Sequence, residues 1–153
     1  MTTSRRKFIK GIGSGFAYLS LIGTYPRLLW AKWHTEAFQS ENYEDALSAR
    51  YPGMKIEDSK AVKLKAPKIA EKGSMVSVGV KTELPNVKSI SLFVKKNPTP
   101  LSASFNFFDG SIPDVKIRLR FGETSDLVAI VESGGKLHRV EQLVKVTIGG
   151  CGG

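Results

Sequence analysis

The amino-acid sequence predicts an all-β fold: an immunoglobulin-like antiparallel β-sandwich of about seven strands, preceded by a signal peptide and a short helix. From Ser59 onward, apolar and polar residues alternate with a period of two, as in Val62, Leu64 and Ala66 between lysines. Turn signals rich in glycine, proline and asparagine separate these runs, for example at residues 84–86 and 97–100. No helical pattern stands between the runs, so the sequence does not provide the crossovers that a parallel sheet requires.

The predicted domain covers residues 32–148 and contains seven strand-like runs. They are residues 62–66, 76–81, 87–95, 101–108, 115–121, 127–132 and 137–148. The single cysteine excludes an internal disulfide, a four-cysteine zinc site and a Cys-x-x-Cys redox pair, so the core must depend on apolar packing. The residues expected to form that core are Leu92, Val94, Phe105, Phe107, Ile117, Leu119, Val128, Ile130, Val144 and Val146.

One short helix is predicted before the first strand. Asn42 is a suitable N-cap, with Asp45 three residues later, and the apolar residues Ala46 and Leu47 follow. The sequence Tyr-Pro-Gly at residues 51–53 ends the pattern. Because the helix is short and weakly apolar, we expect it to lie at the periphery of the sandwich.

Residues 1–31 are typical of an export signal. Arg5 and Arg6 stand before Phe8, and a moderately apolar, glycine-rich run follows at residues 11–23. That run is too short to span a bilayer, so no stable membrane anchor is expected. The paired arginines indicate the twin-arginine route and hence a periplasmic protein. The alternative is a basic amphipathic helix that lies on a membrane surface.

The net charge is concentrated in this leader. The chain has 23 basic and 14 acidic residues, and five of the basic ones lie in the first 31 positions, where there is no acid. The remaining 18 basic residues exceed the acidic ones by only four, which does not indicate nucleic-acid binding.

The body of the domain shows little catalytic chemistry. His34 and His138 are too far apart in sequence to indicate a metal site, and no carboxylates show the spacing of a general acid and base, so we predict neither a catalytic residue nor a metal ligand. Arg118 and Arg120 alternate with apolar residues and therefore share one face of a sheet. That face is either an ordinary solvated surface or a patch directed at an anion or a partner.

The chemical candidate is Cys151, the only thiol. It is surrounded by Gly149, Gly150, Gly152 and Gly153, whose lack of side chains permits almost any backbone conformation. We therefore predict that residues 149–153 form a flexible arm on which the thiol reaches about 10 Å beyond residue 148. The alternatives are a cysteine without function and one that forms an intermolecular disulfide.

Several segments of the chain resemble a known family. The end of the chain, from Lys145 to Gly153, is similar to the tail of the SoxY family, the sulfur-carrying subunits of the SoxYZ complex of bacterial thiosulfate oxidation. The resemblance continues through residues 66–73, residues 90–100 and the twin-arginine leader.

This resemblance implies a carrier that is not an enzyme and has no cofactor. Sulfur intermediates would be attached covalently to Cys151, and a SoxZ-like subunit would form a heterodimer with the chain. The enzymes implied as further partners are a haem-containing enzyme that couples thiosulfate to the thiol, a hydrolase that releases sulfate, and a sulfane dehydrogenase. No nucleic acid is implied.

Two other interpretations stay open at this point. A chain that ends in Gly-Gly is also typical of ubiquitin-like sulfur carriers, which are activated as a thiocarboxylate at the final glycine, here Gly153. The third interpretation is a periplasmic scaffold that uses Cys151 only to form a covalent dimer.

Overall fold

The computed structural model describes residues 34–147. Two helices come first: α1 (Thr35–Gln39) and α2 (Tyr43–Arg50). The strands are β1 (Ile56–Asp58), β2 (Val62–Lys65), β3 (Ile69–Ala70), β4 (Val76–Thr82), β5 (Val87–Val94), β6 (Leu101–Asn106), β7 (Asp114–Leu119), β8 (Ser125–Ser133) and β9 (Lys136–Val146). The predicted signal peptide and residues 149–153 lie outside the described residues, so their predicted boundaries stay predictions.

The strands form two sheets, which confirms the predicted all-β sandwich. The larger sheet has the order β1-β9-β8-β5-β6, with β3 also paired to β9, and the smaller sheet has the order β2-β4-β7. The neighbouring pairs β5–β6, β5–β8, β8–β9, β2–β4 and β4–β7 are all antiparallel.

The described part of the chain has nine strands, two more than the seven predicted. The additional strands, β1 and β3, both pair with β9 in parallel, so the sandwich is not purely antiparallel. With three and two residues, they are too short to show an alternating pattern in the sequence. Strand β9, predicted at residues 137–148, runs unbroken from Lys136 to Val146.

The main core lies between the two sheets. Of the predicted core residues, Leu92, Val94, Leu119 and Val144 are buried there. Val128 and Ile130 are also buried, but in a second cluster. The remaining four, Phe105, Phe107, Ile117 and Val146, are only partly buried against the main core. Strand β5 shows why the inner face is so apolar: Ile90, Leu92 and Val94 all point to it and are completely buried.

A second apolar cluster lies on the opposite face of the larger sheet, beneath the helices. Phe93, Val128 and Ile130 pack there against Ala46 and Tyr51. The prediction of a peripheral helix is therefore wrong: α2 covers a sheet face that would otherwise expose a row of large apolar side chains to water. Its start is as predicted, since the Asn42 side chain accepts a hydrogen bond from the Asp45 N–H at 2.8 Å.

Buried hydroxyl groups join the helix layer to the sheet. Tyr51 Oη donates to Ser91 Oγ at 2.8 Å, and lies 3.3 Å from Ser89 Oγ. Ser91 Oγ is 3.0 Å from Ser104 Oγ, which accepts from Arg50 Nε at 3.3 Å. Burial raises the pKa of Tyr51, so its hydroxyl keeps the proton that it donates.

Tyr51→Phe should therefore lower the free energy of unfolding by about 1 kcal/mol, because a buried hydrogen bond is lost while both serines keep another partner. Urea denaturation measures the change. Tyr43→Phe is the matched control: its buried hydroxyl lies near Arg139 but has no hydrogen bond of good geometry among the described residues. The control should leave the stability unchanged or slightly raised, and an equal loss in both variants would contradict the role given to Tyr51.

Candidate functional site

Strand β9 leads directly to the predicted sulfur-carrying segment. One edge of the strand pairs with β8 from Lys136 to Val144. The other edge pairs with β1 at Leu137–Arg139 and with β3 at Lys145 and Val146. The side chains of Leu137 and Val144 are completely buried. The strand is thus held by hydrogen bonds on both edges and by the core on its faces.

The last described residues are held as firmly as the strand itself. Lys145 N–H donates to the Lys68 carbonyl at 2.9 Å, and Thr147 N–H donates to the Ala70 carbonyl at 3.0 Å. From the other side, Val146 N–H donates to Thr124 Oγ1 at 3.0 Å. Within the described part of the chain, the hydrogen-bonded backbone therefore continues past the strand as far as the last residue, Thr147.

Gly73 packs closely against the end of β9. Its carbonyl accepts a hydrogen bond from Phe121 N–H at 2.7 Å. A Cβ at this position would lie 2.8 Å from Val146 Cγ1 and closer still to the Phe121 carbonyl oxygen. Glycine is thus required here by the close approach of the backbone to β9.

The residues that the sequence singles out for chemistry lie outside the described residues. This applies to Cys151 with Gly149, Gly150, Gly152 and Gly153, and equally to the predicted export residues Arg5 and Arg6. The structure instead shows the base from which the segment departs. Cys151 is the fourth residue after Thr147, so a fully extended backbone places it at most about 14 Å from that base.

An apolar patch flanked by lysines lies beside this base, although the sequence pattern gives no sign of it. Ile69 on β3 and Leu143 on β9 are 60% and 47% exposed, and they line a shallow cavity with Lys68 and Lys145. An isolated exposed isoleucine in a two-residue strand has no signal in the sequence, because the parallel pairing with β9 is what places it.

Among the described residues there is neither a candidate metal site nor a helix that could span a membrane. Within residues 34–147, no group of three histidine, cysteine, aspartate or glutamate side chains is placed to hold a metal ion. In the same part of the chain, no helix has the length and hydropathy needed to cross a membrane.

Comparison with known proteins identifies the family. The family model for the sulfur oxidation protein SoxY matches residues 48–151, which include β1–β9 and Cys151. This chain belongs to the SoxY family. The resemblance noted in the sequence is thereby confirmed.

Solved structures agree with this family assignment. The sulfur carrier protein SoxY from Chlorobium limicola f thiosulfatophilum is 42% identical, with a TM-score of 0.64, and the match covers 69% of this chain and 96% of that one. The chain is therefore assigned to a family of sulfur carrier proteins. No curated protein matches the sequence.

More distant structures share the fold alone. A variant form of the superoxide reductase (neelaredoxin) from Ignicoccus hospitalis is 21% identical with a TM-score of 0.51, over 57% of this chain and 80% of that one. Another structure of the Ignicoccus hospitalis enzyme is 19% identical with a TM-score of 0.50, again over 57% and 80%. The sandwich of the SoxY family thus also occurs in proteins of different chemistry.

Gly73→Ala should lower the free energy of unfolding by about 2 kcal/mol, because the added methyl group must displace either the Phe121 carbonyl or Val146 at the end of β9. Gly79→Ala on β4 is the matched control, since a Cβ there has no neighbour nearer than 3.6 Å. Urea denaturation of both variants checks the expectation. Equal stability of the two variants would contradict the close packing of Gly73 against the base of the segment.

Proposed function

We propose that this chain carries sulfur intermediates covalently on the thiol of Cys151 in periplasmic thiosulfate oxidation and delivers them to partner enzymes. One observation supports the proposal above the others: in a chain of the SoxY family, the only thiol stands among four glycines. It comes four residues after Thr147, the last described residue, which is hydrogen-bonded and directly follows a strand anchored on both edges. A fixed base and a glycine-rich tether allow a thiol to enter a partner's cleft while the sandwich stays outside it.

The chemistry of the thiol suits such a role. Coupling of the Cys151 thiol to thiosulfate forms a cysteine S-thiosulfonate and releases one proton and two electrons, which a haem-containing enzyme accepts. Hydrolysis of the terminal sulfonate by a second enzyme consumes water and releases sulfate and a proton, and it leaves a persulfide on the cysteine. A sulfane dehydrogenase is proposed to oxidise the remaining sulfane sulfur while it is still bound to Cys151, with water as the oxygen source and the enzyme as the electron acceptor. Covalent attachment keeps these reactive species from diffusing away between enzymes.

The chain itself performs no catalysis in this proposal. It supplies an accessible thiol, and the receiving enzymes supply the activation, the electron acceptors and the hydrolytic groups. No cofactor is needed beyond the sulfur that Cys151 carries. Membership of the SoxY family implies a SoxYZ complex, so we assign a SoxZ-like subunit as the second member of a heterodimer.

The alternative ubiquitin-like carrier, activated at Gly153, is less well supported. The fold is a sandwich of two sheets in a chain of the SoxY family, whereas that class combines a helix with a small sheet. The proposed chemistry at Cys151 also requires no activated carboxylate.

Cys151→Ser should abolish thiosulfate-dependent electron transfer in a system reconstituted with the loading enzyme, while the free energy of unfolding stays unchanged. The matched control is the double variant Cys151→Ser with Lys88→Cys, which keeps one thiol but places it on β5, near the opposite end of the sheet from the end of β9. That control should also be inactive. Normal electron transfer by Cys151→Ser would refute the carrier proposal, and normal transfer by the control would refute the need for the glycine-rich segment.

The export route has its own test. Arg5→Lys combined with Arg6→Lys should keep the protein in the cytoplasm, because the twin-arginine signal depends on the guanidinium pair and not on charge alone. Fractionation of cells that produce the wild type or the variant measures the distribution. Lys7→Arg is the control and should leave export unchanged. Normal export of the double-lysine variant would contradict the assigned route.

A further inference from the structure

The outer face of the smaller sheet carries an unusual arrangement of charge. The cross-strand register places Lys65 on β2, Gly79 on β4 and Lys116 on β7 in one row. The next row, past the end of β2, contains Ser77 on β4 and Arg118 on β7. All four of these polar side chains are exposed.

These side chains line a groove. Its volume is about 550 Å³, and its walls include Ala66, Pro67 and Ile117 as well as the three cationic residues. Gly79 leaves space in the row between Lys65 and Lys116: the nearest neighbours of a Cβ there would be Lys65 Cβ at 3.6 Å, the Val115 carbonyl at 3.8 Å and Lys116 Cγ at 3.9 Å. The groove is much larger than a simple inorganic anion, and it is open along its length.

The positive charges in the groove are not neutralised by the described residues. None of the residues that line the groove is acidic, and within residues 34–147 neither Lys65, Lys116 nor Arg118 forms an ion pair. The row at the other end of the same face is different: Lys63 lies 3.9 Å from Glu83, and Lys81 stands opposite Asp114. The smaller sheet therefore keeps its excess of positive charge at one end, where mutual repulsion of the cations lowers the stability of the fold.

That end of the groove adjoins the base of the Cys151 segment. The wall residues Ala66 and Pro67 are followed at once by Lys68, whose carbonyl accepts from Lys145 N–H at 2.9 Å. The Ala66 carbonyl accepts from Gln142 Nε2 at 2.8 Å. A molecule bound in the groove would thus lie beside the end of β9.

The edge of β4 is also open at this point. The pairing of β2 with β4 ends at Lys65 and Gly79. Pro67, which is two residues further and would stand opposite Ser77, has no N–H to donate. An extended peptide therefore has room beside β4.

We propose that this groove, defined by Lys65, Gly79, Lys116 and Arg118, docks an acidic, extended segment of the enzymes that receive the Cys151 arm. The proposal rests on the carrier function proposed above. Charge complementarity between the groove and carboxylates of the partner steers the encounter and fixes the side of the carrier that faces the enzyme. The contact leaves the thiol free to enter the cleft, because the groove and Cys151 are separate parts of the chain.

The binding test uses the full chain and a defined probe. A fluorescein-labelled hexapeptide of alternating glutamate and valine should bind in a salt-dependent manner, measured by fluorescence anisotropy, while the corresponding glutamine peptide should not. Lys116→Glu with Arg118→Glu should weaken binding at least tenfold. Lys88→Glu is the charge-reversal control on β5 and should change the affinity less than twofold.

A second variant tests the shape of the groove without changing its charge. Gly79→Leu should weaken binding at least tenfold, because the new side chain occupies the open space while all three cations remain. Gly79→Ala should weaken binding less, because its methyl group would lie at ordinary contact distance from its neighbours. This variant keeps the test informative if the leucine variant does not fold. The proposal would be overturned if the wild type and all groove variants bound the peptide equally well. It would also be overturned if thiosulfate displaced the peptide at concentrations too low to act through ionic strength, since the groove would then be a site for a small anion.

Loading kinetics separate this proposal from the carrier function. With the haem-containing coupling enzyme, the groove variants should raise the KM for the carrier at least fivefold and leave kcat unchanged. Cys151→Ser should bind the acidic peptide with unchanged affinity yet accept no sulfur. An unchanged KM in variants that no longer bind the peptide would refute the docking role while leaving the carrier function intact. Loading of Cys151→Ser would refute the carrier function independently of the groove.

Discussion

The position of β9 between partners on both of its edges is the constraint on which the candidate site depends. Strand β8 pairs with nearly its whole length, and the short strands β1 and β3 occupy the opposite edge near its two ends. A terminal strand paired on one edge only would be free to fray, and its last residues would move with whatever follows them. Here the hydrogen-bonded backbone extends to Thr147, so the sandwich offers a fixed base to the segment that begins after this residue.

The three-layer arrangement explains how a small sandwich supports such a strand. The smaller sheet covers one face of the larger sheet and the helices cover the other, so the central strands β5 and β8 are buried on both sides. The smaller sheet is then left with one free face. That face contains the groove around Gly79 and its cluster of cations, so the surface available for recognition lies beside the end of β9 and away from the helices.

The sequence predicted the sandwich correctly because period-two alternation is strong in strands with one solvated face. Strand β4 is the clearest case, with Val76, Val78 and Val80 buried and Ser77 exposed. Strand β8 is different: burial on both faces removes the alternation. The sequence therefore located the strand and its buried residues, but it did not show that Val128 and Ile130 pack beneath the helices and not between the sheets. The small helix α1 was missed because its N-cap, His34, makes no side-chain cap hydrogen bond and carries none of the usual signals.

Part of the candidate site could likewise be predicted from the sequence, and part depends on the fold. Cys151 and its glycines stand out in the sequence because local composition alone marks them, and the family match extends to residue 151. The groove depends on cross-strand register, since Lys65, Gly79 and Lys116 belong to three strands that are separated in sequence. The alternation of Arg118 with apolar residues indicated a shared face, but only the fold shows which other cations meet it.

The central claim, that Cys151 carries covalent sulfur, is tested most directly by peptide-resolved mass spectrometry of the protein isolated from cells that oxidise thiosulfate. The account predicts mass increases of sulfur or of thiosulfonate on the peptide that contains Cys151, and their removal by a thiol reductant. An unmodified thiol accompanied by a modified carboxylate at Gly153, or the absence of any sulfur adduct under active oxidation, would contradict it.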